Sequence, residues 1–267
     1  MSKFNPSELR KAVLEMAYAG STVHIACAFS IIEILAVLYR NHLRYPDNDP
    51  DAMSRDYLVL SKGHGVMAQY ACLHEKGWLP KSDLENYFVD GSRLKGLSDA
   101  HVPGCEVTSG SLGHGLSVGV GMALAAKLSG TDQYCYVIAG DGEMNEGPMW
   151  EAMLFASHRA LDNLIVIVDE NGFQAMGRTS EVLHLGSLQD KFRAFDFDVI
   201  TVNGHDEVAL EDGLAVLKKN KNGKPKVVIA HTIKGKGVSF MEDDNAWHYT
   251  RLSEDTFKQA MSELGQQ

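Results

Sequence analysis

Nowhere does this sequence hold 18 consecutive apolar residues, so no membrane span is expected. The opening MSKFNPSELRK lacks the apolar stretch of a signal peptide. The four cysteines (Cys27, Cys72, Cys105 and Cys135) lie far apart without a C-x-x-C pair, which argues against a zinc ribbon or a disulfide framework and fits a reducing compartment. Positive charge is scarce: 25 Lys and Arg stand against 35 Asp and Glu, a formal net charge of −10. Such a surface argues against nucleic acid as the main partner, because phosphate backbones are held by basic patches. Any anionic ligand must then be held locally. No repeat, low-complexity tract or linker interrupts the 267 residues. No G-x-G-x-x-G marks the first strand, and KGKG at 234–237 lacks the spacing of a phosphate loop, so a nicotinamide-binding protein is disfavoured. The expectation is a cytoplasmic protein.

What remains is ordinary globular composition, 45% hydrophobic and 22% charged, enough for one large α/β domain. Asn5, Pro6 and Glu8 form a helix-start signal with a box-like pattern, followed by Leu9, Val13, Met16 and Ala17 at helical spacing. A second helix is expected over residues 28–41. DYLVLSKGHG reads as a buried strand and tight turn leading into the helix VMAQYACLHEKG. The segment 110–130 is rich in Gly and Ala, with Gly119 and Gly121 expected to serve close packing. Strands at YCYVIAG, LIVIVDE, FDVITVNG and KVVIAHT alternate with helices near 148–160, 187–194 and 206–220, and residues 252–267 close the chain with a short amphipathic helix. Apolar strands between helices predict a mostly parallel sheet covered on both faces, a three-layer α/β/α arrangement.

Two of these strands end abruptly in polar residues. VIAGDGEMNEG carries Asp141, and LIVIVDENG carries Asn171 thirty positions later. Ligands of parallel sheets bind beyond the carboxyl ends of strands, where helix N-termini receive phosphate. If the two strands are neighbours, a carboxylate and an amide carbonyl converge: hard oxygen ligands suited to Mg²⁺ or Ca²⁺, with phosphate oxygens completing the shell. Either motif alone is equally well explained by backbone needs, Asp141 as a helix cap before Pro148 and the Asn-Gly pair as a turn.

Taken jointly, GDG, 28 residues from Glu143 to Glu170, and then Asn resemble the thiamine diphosphate-binding motif. GDGEMNEGPMWEAMLFASHRALDNLIVIVDENGFQAMG is similar to the transketolase family. So, in order, are AGSTVHIACAFSIIEILAVLY, LSKGHG, DAHVPGCEVTSGSLGHGL and WHYTRLS, and the resemblance covers nearly the whole chain. It implies a thiamine diphosphate-binding fold of the diphosphate type, with 1–267 as a single domain. It further implies metal ligation by Asp141, the Asn171 side chain and the Phe173 carbonyl, and close approach of the Gly142 backbone to the phosphates. Gly110 and Leu112 would flank the cofactor rings. His24, His64, His101 and His248 would be active-site groups: His24 and His248 for substrate hydroxyl protons, His101 for the ketol fragment, and His64 between diphosphate and sugar. His64 and His248 would also contact the cofactor. Imidazole suits proton transfer near neutral pH. Glu146 would join a hydrogen-bonded relay across a dimer interface, whereas Glu143 is expected to be a solvated turn residue. Two departures from the family pattern are Ile25 after the first histidine and His114 in the loop LGHG.

The pyrimidine-binding and C-terminal domains of this family are expected to be absent, since only 19 residues follow His248. The resemblance therefore implies one half of a split transketolase. Its partner would be a separately encoded C-terminal transketolase subunit, the two forming an α2β2 heterotetramer that transfers a two-carbon ketol unit between sugar phosphates, with glyceraldehyde 3-phosphate an example of an acceptor. A general pentose phosphate role and a dedicated catabolic role on a branched pentulose phosphate both fit. The alternatives are an α-type subunit of a 2-oxo acid dehydrogenase, a deoxyxylulose-phosphate synthase-like protein, and a non-catalytic cofactor-binding module.

Overall fold

Asn5 caps the first helix as its spacing predicts: its side chain accepts from Glu8 N at 3.1 Å, and Pro6 opens Pro6–Ala19. Glu8 does not complete a box but pairs with Lys11 at 2.8 Å. The computed structural model describes residues 3–20 and 23–266, so Ser21 and Thr22 of the AGSTVHIA motif lie outside the described residues. The helix expected over 28–41 is broken into Ile25–Phe29, Ile32–Val37 and a π turn at Leu38–His42. At the break, Ser30 Oγ bonds Cys27 O at 3.2 Å and the Asp169 carboxylate at 2.7 Å. A tertiary partner thus overrides local helical periodicity.

Seven strands occur among the described residues: β1 Tyr57–Leu60, β2 Cys135–Gly140, β3 Leu164–Glu170, β4 Phe173–Gln174, β5 Gly177–Arg178, β6 Asp198–Asn203 and β7 Lys226–His231. Five form a parallel sheet in the order β1-β2-β3-β7-β6, and β4 pairs with β5 in a small antiparallel ribbon. Alternate residues of each central strand feed opposite layers. Tyr136, Ile138, Ile165 and Ile167 join the core beneath the helices Pro6–Ala19, Val66–Glu75 and Glu207–Lys219. Val137, Ala139, Val166 and Val168 join the core beneath Gly115–Leu128, Gly147–His158 and Leu188–Ala194. Each such aliphatic side chain contributes about 1.5–3 kcal/mol when removed from water, so the apolar strand runs dictate this three-layer packing. Gly119 serves close packing as expected: a Cβ there would lie 2.3 Å from Val137 Cγ2. Gly121 does not, since its Cβ position is open.

The register pairs Gly140 with Asp169 and Glu170 with His231. Consequently the polar residues beyond β1, β2, β3 and β7 all leave the sheet at one edge, and the site is built there.

Candidate active site

Because β2 and β3 are neighbours, Asp141 and Asn171 sit side by side and both line a cavity of about 450 Å³. Asp141 is 3% exposed. Its Oδ1 accepts from Gly142 N at 2.8 Å and its Oδ2 from Gly172 N at 2.7 Å, so the carboxylate ties one strand end to the other. Burial, reinforced by the nearby Asp169 charge, pushes its pKa up to about 7 despite those two donors. Asn171 Oδ1 accepts from Phe173 N at 3.0 Å, while its Nδ2 donates to Asp169 Oδ2 at 2.8 Å, which fixes the amide with its oxygen turned away from Asp169. Gly142 is required by packing: a Cβ would lie 2.7 Å from Gln174 Cβ on the ribbon that follows β3.

Beneath these residues lies a fully buried carboxylate. Asp169 accepts from Ser30 Oγ, Asn171 Nδ2, Thr232 Oγ1 and Lys62 Nζ. Burial alone would raise its pKa, but the Lys62 charge and these hydrogen bonds together hold it below the usual carboxylate range, and Lys62 is raised in turn. The pair is therefore ionised. Asp169→Ala should destabilise the protein by about 3–5 kcal/mol, because Lys62, 1% exposed, would keep a buried and unpaired charge. Urea unfolding measures this as a lowered midpoint at unchanged slope, and a loss below ~1 kcal/mol would show that the pair is not a structural tie.

Three of the four expected histidines meet in the cavity. The ring centroids of His24 and His64 are 5.3 Å apart, those of His24 and His248 5.3 Å, and those of His64 and His248 5.6 Å. Burial first, then the Lys234 charge, lowers His24 to about 4 and His248 to about 3. Burial and Lys62 place His64 well below its ordinary value. All three are thus neutral imidazoles at physiological pH; of the two lysines beside them, Asp169 raises Lys62 against its burial, while burial lowers Lys234. His101 is not brought in. Its side chain is 94% exposed, and Asp99 Oδ1 accepts from both its backbone N (3.0 Å) and its Nδ1 (2.8 Å), which turns it outward in a tight local turn.

Gly110, Leu112 and Glu146 line the cavity, and a Cβ on Gly113 would meet Glu146 Cβ at 2.6 Å, so this loop lies directly on the Glu146 turn. His114 precedes the helix Gly115–Leu128 and is exposed, and Ile25 opens a buried helical turn. Glu143 overturns its expected role. It is 2% exposed rather than solvated, with Oε1 accepting from Ser61 Oγ (2.5 Å) and Gly113 N (2.8 Å), and Oε2 from Gly140 N (3.3 Å). Burial raises its pKa against those three bonds. Glu143 therefore clamps the Leu112 loop onto the ends of β1 and β2.

The structure adds residues that sequence reasoning passed over. Lys62 and Lys234 both line the cavity. They provide the local positive charge that an acidic chain needs in order to hold an anion. Lys62 directly precedes the GHG turn, and Lys234 follows a buried parallel strand; those positions were the available signals. Asn145 and Gln174 also line the cavity, and both amide atoms of Asn145 and Nε2 of Gln174 are buried without a partner. Unsatisfied buried polar atoms are rare in native proteins and mark a place where a ligand belongs. Among the described residues no group of three His, Cys, Asp or Glu could hold a metal. A cation here would combine one carboxylate with neutral protein oxygens and ligand oxygens, which is the donor set that magnesium takes when it carries a phosphate. Two lysines, orphaned amides and hard oxygens thus fit a diphosphate with a divalent cation.

Comparison with known proteins agrees with this geometry. Residues 7–267 match the family described as "Transketolase, thiamine diphosphate binding domain". One subunit of the apulose-4-phosphate transketolase of Phocaeicola vulgatus is 39% identical over 259 residues, covering 96% of this chain and 91% of that protein. The 6-deoxy-6-sulfo-D-fructose transketolase subunit SqwG of a Clostridium species is 40% identical over 257 residues, covering 96% and 93%. The structure of transketolase from Leishmania mexicana superposes with a TM-score of 0.91 at 35% identity, covering 99% of this chain but only 41% of that one. The chain belongs to the transketolase family, as its thiamine diphosphate-binding domain.

Proposed function

We propose that this protein is the cofactor-binding subunit of a two-subunit transketolase, which moves a two-carbon ketol unit from a ketose phosphate to an aldose phosphate such as glyceraldehyde 3-phosphate. The single observation carrying this reading is the convergence of Asp141, Asn171, three neutral imidazoles and two lysines on one cavity at the carboxyl ends of parallel strands. Asp141, the Asn171 side chain and the Phe173 carbonyl would hold Mg²⁺, or Ca²⁺. Lys62, Lys234 and His64 would face the diphosphate, with the Gly142 backbone beside it and Gly110 and Leu112 beside the rings. When bound, thiamine diphosphate supplies the carbanion and the electron sink for cleaving the bond next to the ketose carbonyl. The protein's own part is orientation and proton handling. His24 and His248 are assigned to the substrate hydroxyl protons, and the assigned set narrows from four histidines to three because His101 faces outward. Glu146, at the rim, is assigned to coupling across the subunit interface.

Residues 1–267 act in this reading as one diphosphate-type domain, with the pyrimidine-binding half supplied by a separate chain, as two copies of each. Support comes from the relatives named as subunits, of which this chain covers more than nine-tenths. The exposed apolar side chains Val118, Leu128, Leu154 and Phe155 on two adjacent helices offer a contact face of the kind obligate interfaces use. No helix among the described residues is long and apolar enough to cross a membrane, and the acidic surface fits a cytoplasmic protein acting on sugar phosphates. The names of two of these relatives, which specify apulose 4-phosphate and 6-deoxy-6-sulfo-D-fructose, favour a dedicated role on a particular ketose over general pentose phosphate metabolism. Reconstitution with the partner chain tests the assignment: ketose phosphates should release the shortened aldose, whereas pyruvate should not be decarboxylated. Preference for pyruvate would move the protein to the 2-oxo acid enzymes.

A further inference from the structure

We infer that Lys234 fixes His248 as the Nε2–H tautomer, so that this histidine meets its ligand as a hydrogen-bond donor and Lys234 is its positioning residue. Lys234 Nζ stands 2.9 Å from His248 Nδ1 and 2.5 Å from Asn245 Oδ1. An ammonium group carries three donors and no acceptor, so both neighbours must present lone pairs to it. A neutral imidazole has one N–H; with the lone pair on Nδ1, the proton resides on Nε2.

The lysine has little freedom to do otherwise. It is 1% exposed. Its carbonyl accepts from Asp243 N at 3.0 Å, and the next residue, Gly235, donates its N–H to Ala26 O at 3.1 Å. Asn245 is itself oriented, because its Nδ2 donates to Ala175 O at 3.0 Å and its oxygen is thereby left for the lysine. Cys27 Sγ lies 3.4 Å from the same Nδ1, and a thiol there is only a weak donor to a lone pair already claimed by an ammonium. His24 and Lys62 face the same ring, and neither their charge nor the burial of the site favours a second proton on it. His248 is therefore not a base at Nε2. Among the described residues neither His24 nor His64 has a ring-nitrogen hydrogen bond, and with His64 proposed to face the diphosphate, His24 is left as the imidazole able to accept a substrate proton.

The division of labour rests on the ketol-transfer reading, whereas the tautomer does not. The full chain labelled with ¹⁵N-histidine, free of cofactor, is examined by long-range ¹H–¹⁵N correlation, with His248 assigned by the signals that His248→Gln removes. The expected spectrum has Nε2 as the pyrrole-type and Nδ1 as the pyridine-type nitrogen from pH 6 to 9. Lys234→Met should populate the Nδ1–H form and raise the proton affinity of His248 at least tenfold, about one pH unit. Cys27→Ala should change neither. A wild-type Nδ1–H signal would overturn the inference without any variant, as would a Lys234→Met titration within threefold of wild type. Absence of ketol transfer by the reconstituted wild-type enzyme alongside the expected spectrum would count against the functional reading and leave the tautomer standing.

Discussion

Asp141→Ala is expected to weaken magnesium-dependent binding of thiamine diphosphate to the assembled enzyme by more than about a hundredfold. Groups that merely support metal ligands cost 10–100-fold when removed, and Asp141 is the one carboxylate proposed in the metal shell. The remaining oxygens, from Asn171 and Phe173, are neutral. Isothermal titration with and without magnesium measures the effect, and a loss within threefold would remove Asp141 from the site. A pH signature accompanies it. Because burial raises Asp141 to about 7 in the ligand-free protein, a proton must leave before a cation can enter, so cofactor affinity should fall about tenfold per pH unit below that value. The sign for stability follows from the same shift. The folded pKa is raised, so the stabilisation from protonation is fully present below the ordinary carboxylate value and is lost as pH rises through about 7. The gap corresponds to ~4 kcal/mol at most. Ligand-free wild type should therefore melt lower at pH 8 than at pH 5, while Asp141→Ala should lose that dependence. Magnesium with the cofactor should restore wild type at pH 8, because the cation replaces the missing proton.

The second large effect is the dependence on a partner. The polypeptide alone should show no two-carbon transfer at any concentration, and adding the complementary chain should raise turnover by at least about a thousandfold, an effect of ~4 kcal/mol on the barrier. The lining of the cavity runs from the strand ends and the Leu112 loop to Glu146 and Met176, which are both exposed, the latter 77%. In the proposed reading the partner chain covers these exposed residues and completes the desolvation that strengthens electrostatic interactions. Turnover should saturate with partner at the stoichiometry of an α2β2 assembly, measured by light scattering on the same samples. Turnover by the isolated chain would refute the split arrangement.

How far the site was legible from the chain depends on whether a residue acts through its neighbours in sequence or through distant ones. Asp141 and Asn171 were readable because each ends an apolar strand, and the pairing of those strands follows from two hydrophobic runs that must both be buried. Leu112, Gly110 and three of the histidines were readable through motif resemblance. Glu143 was misread: a glutamate between Gly142 and Met144 has no local reason to be buried, and only the arrival of Ser61 and Gly113 supplies the donors that make burial tolerable. His101 sits in a similar motif but is held outward by Asp99, two residues away. The break at Ser30 was invisible because its cause, Asp169, is 139 residues distant.

By itself the amino-acid order determined the layered α/β architecture, the strand ends that carry polar groups and the family to which the chain belongs, because hydrophobic periodicity and short motifs are local properties. Only the tertiary structure decided which charges are paired, which carboxylates are buried, and that burial, reinforced by Lys62 and Lys234, holds three imidazoles neutral. Those outcomes depend on desolvation and on distances between segments far apart along the chain, and neither is set until the sheet has assembled.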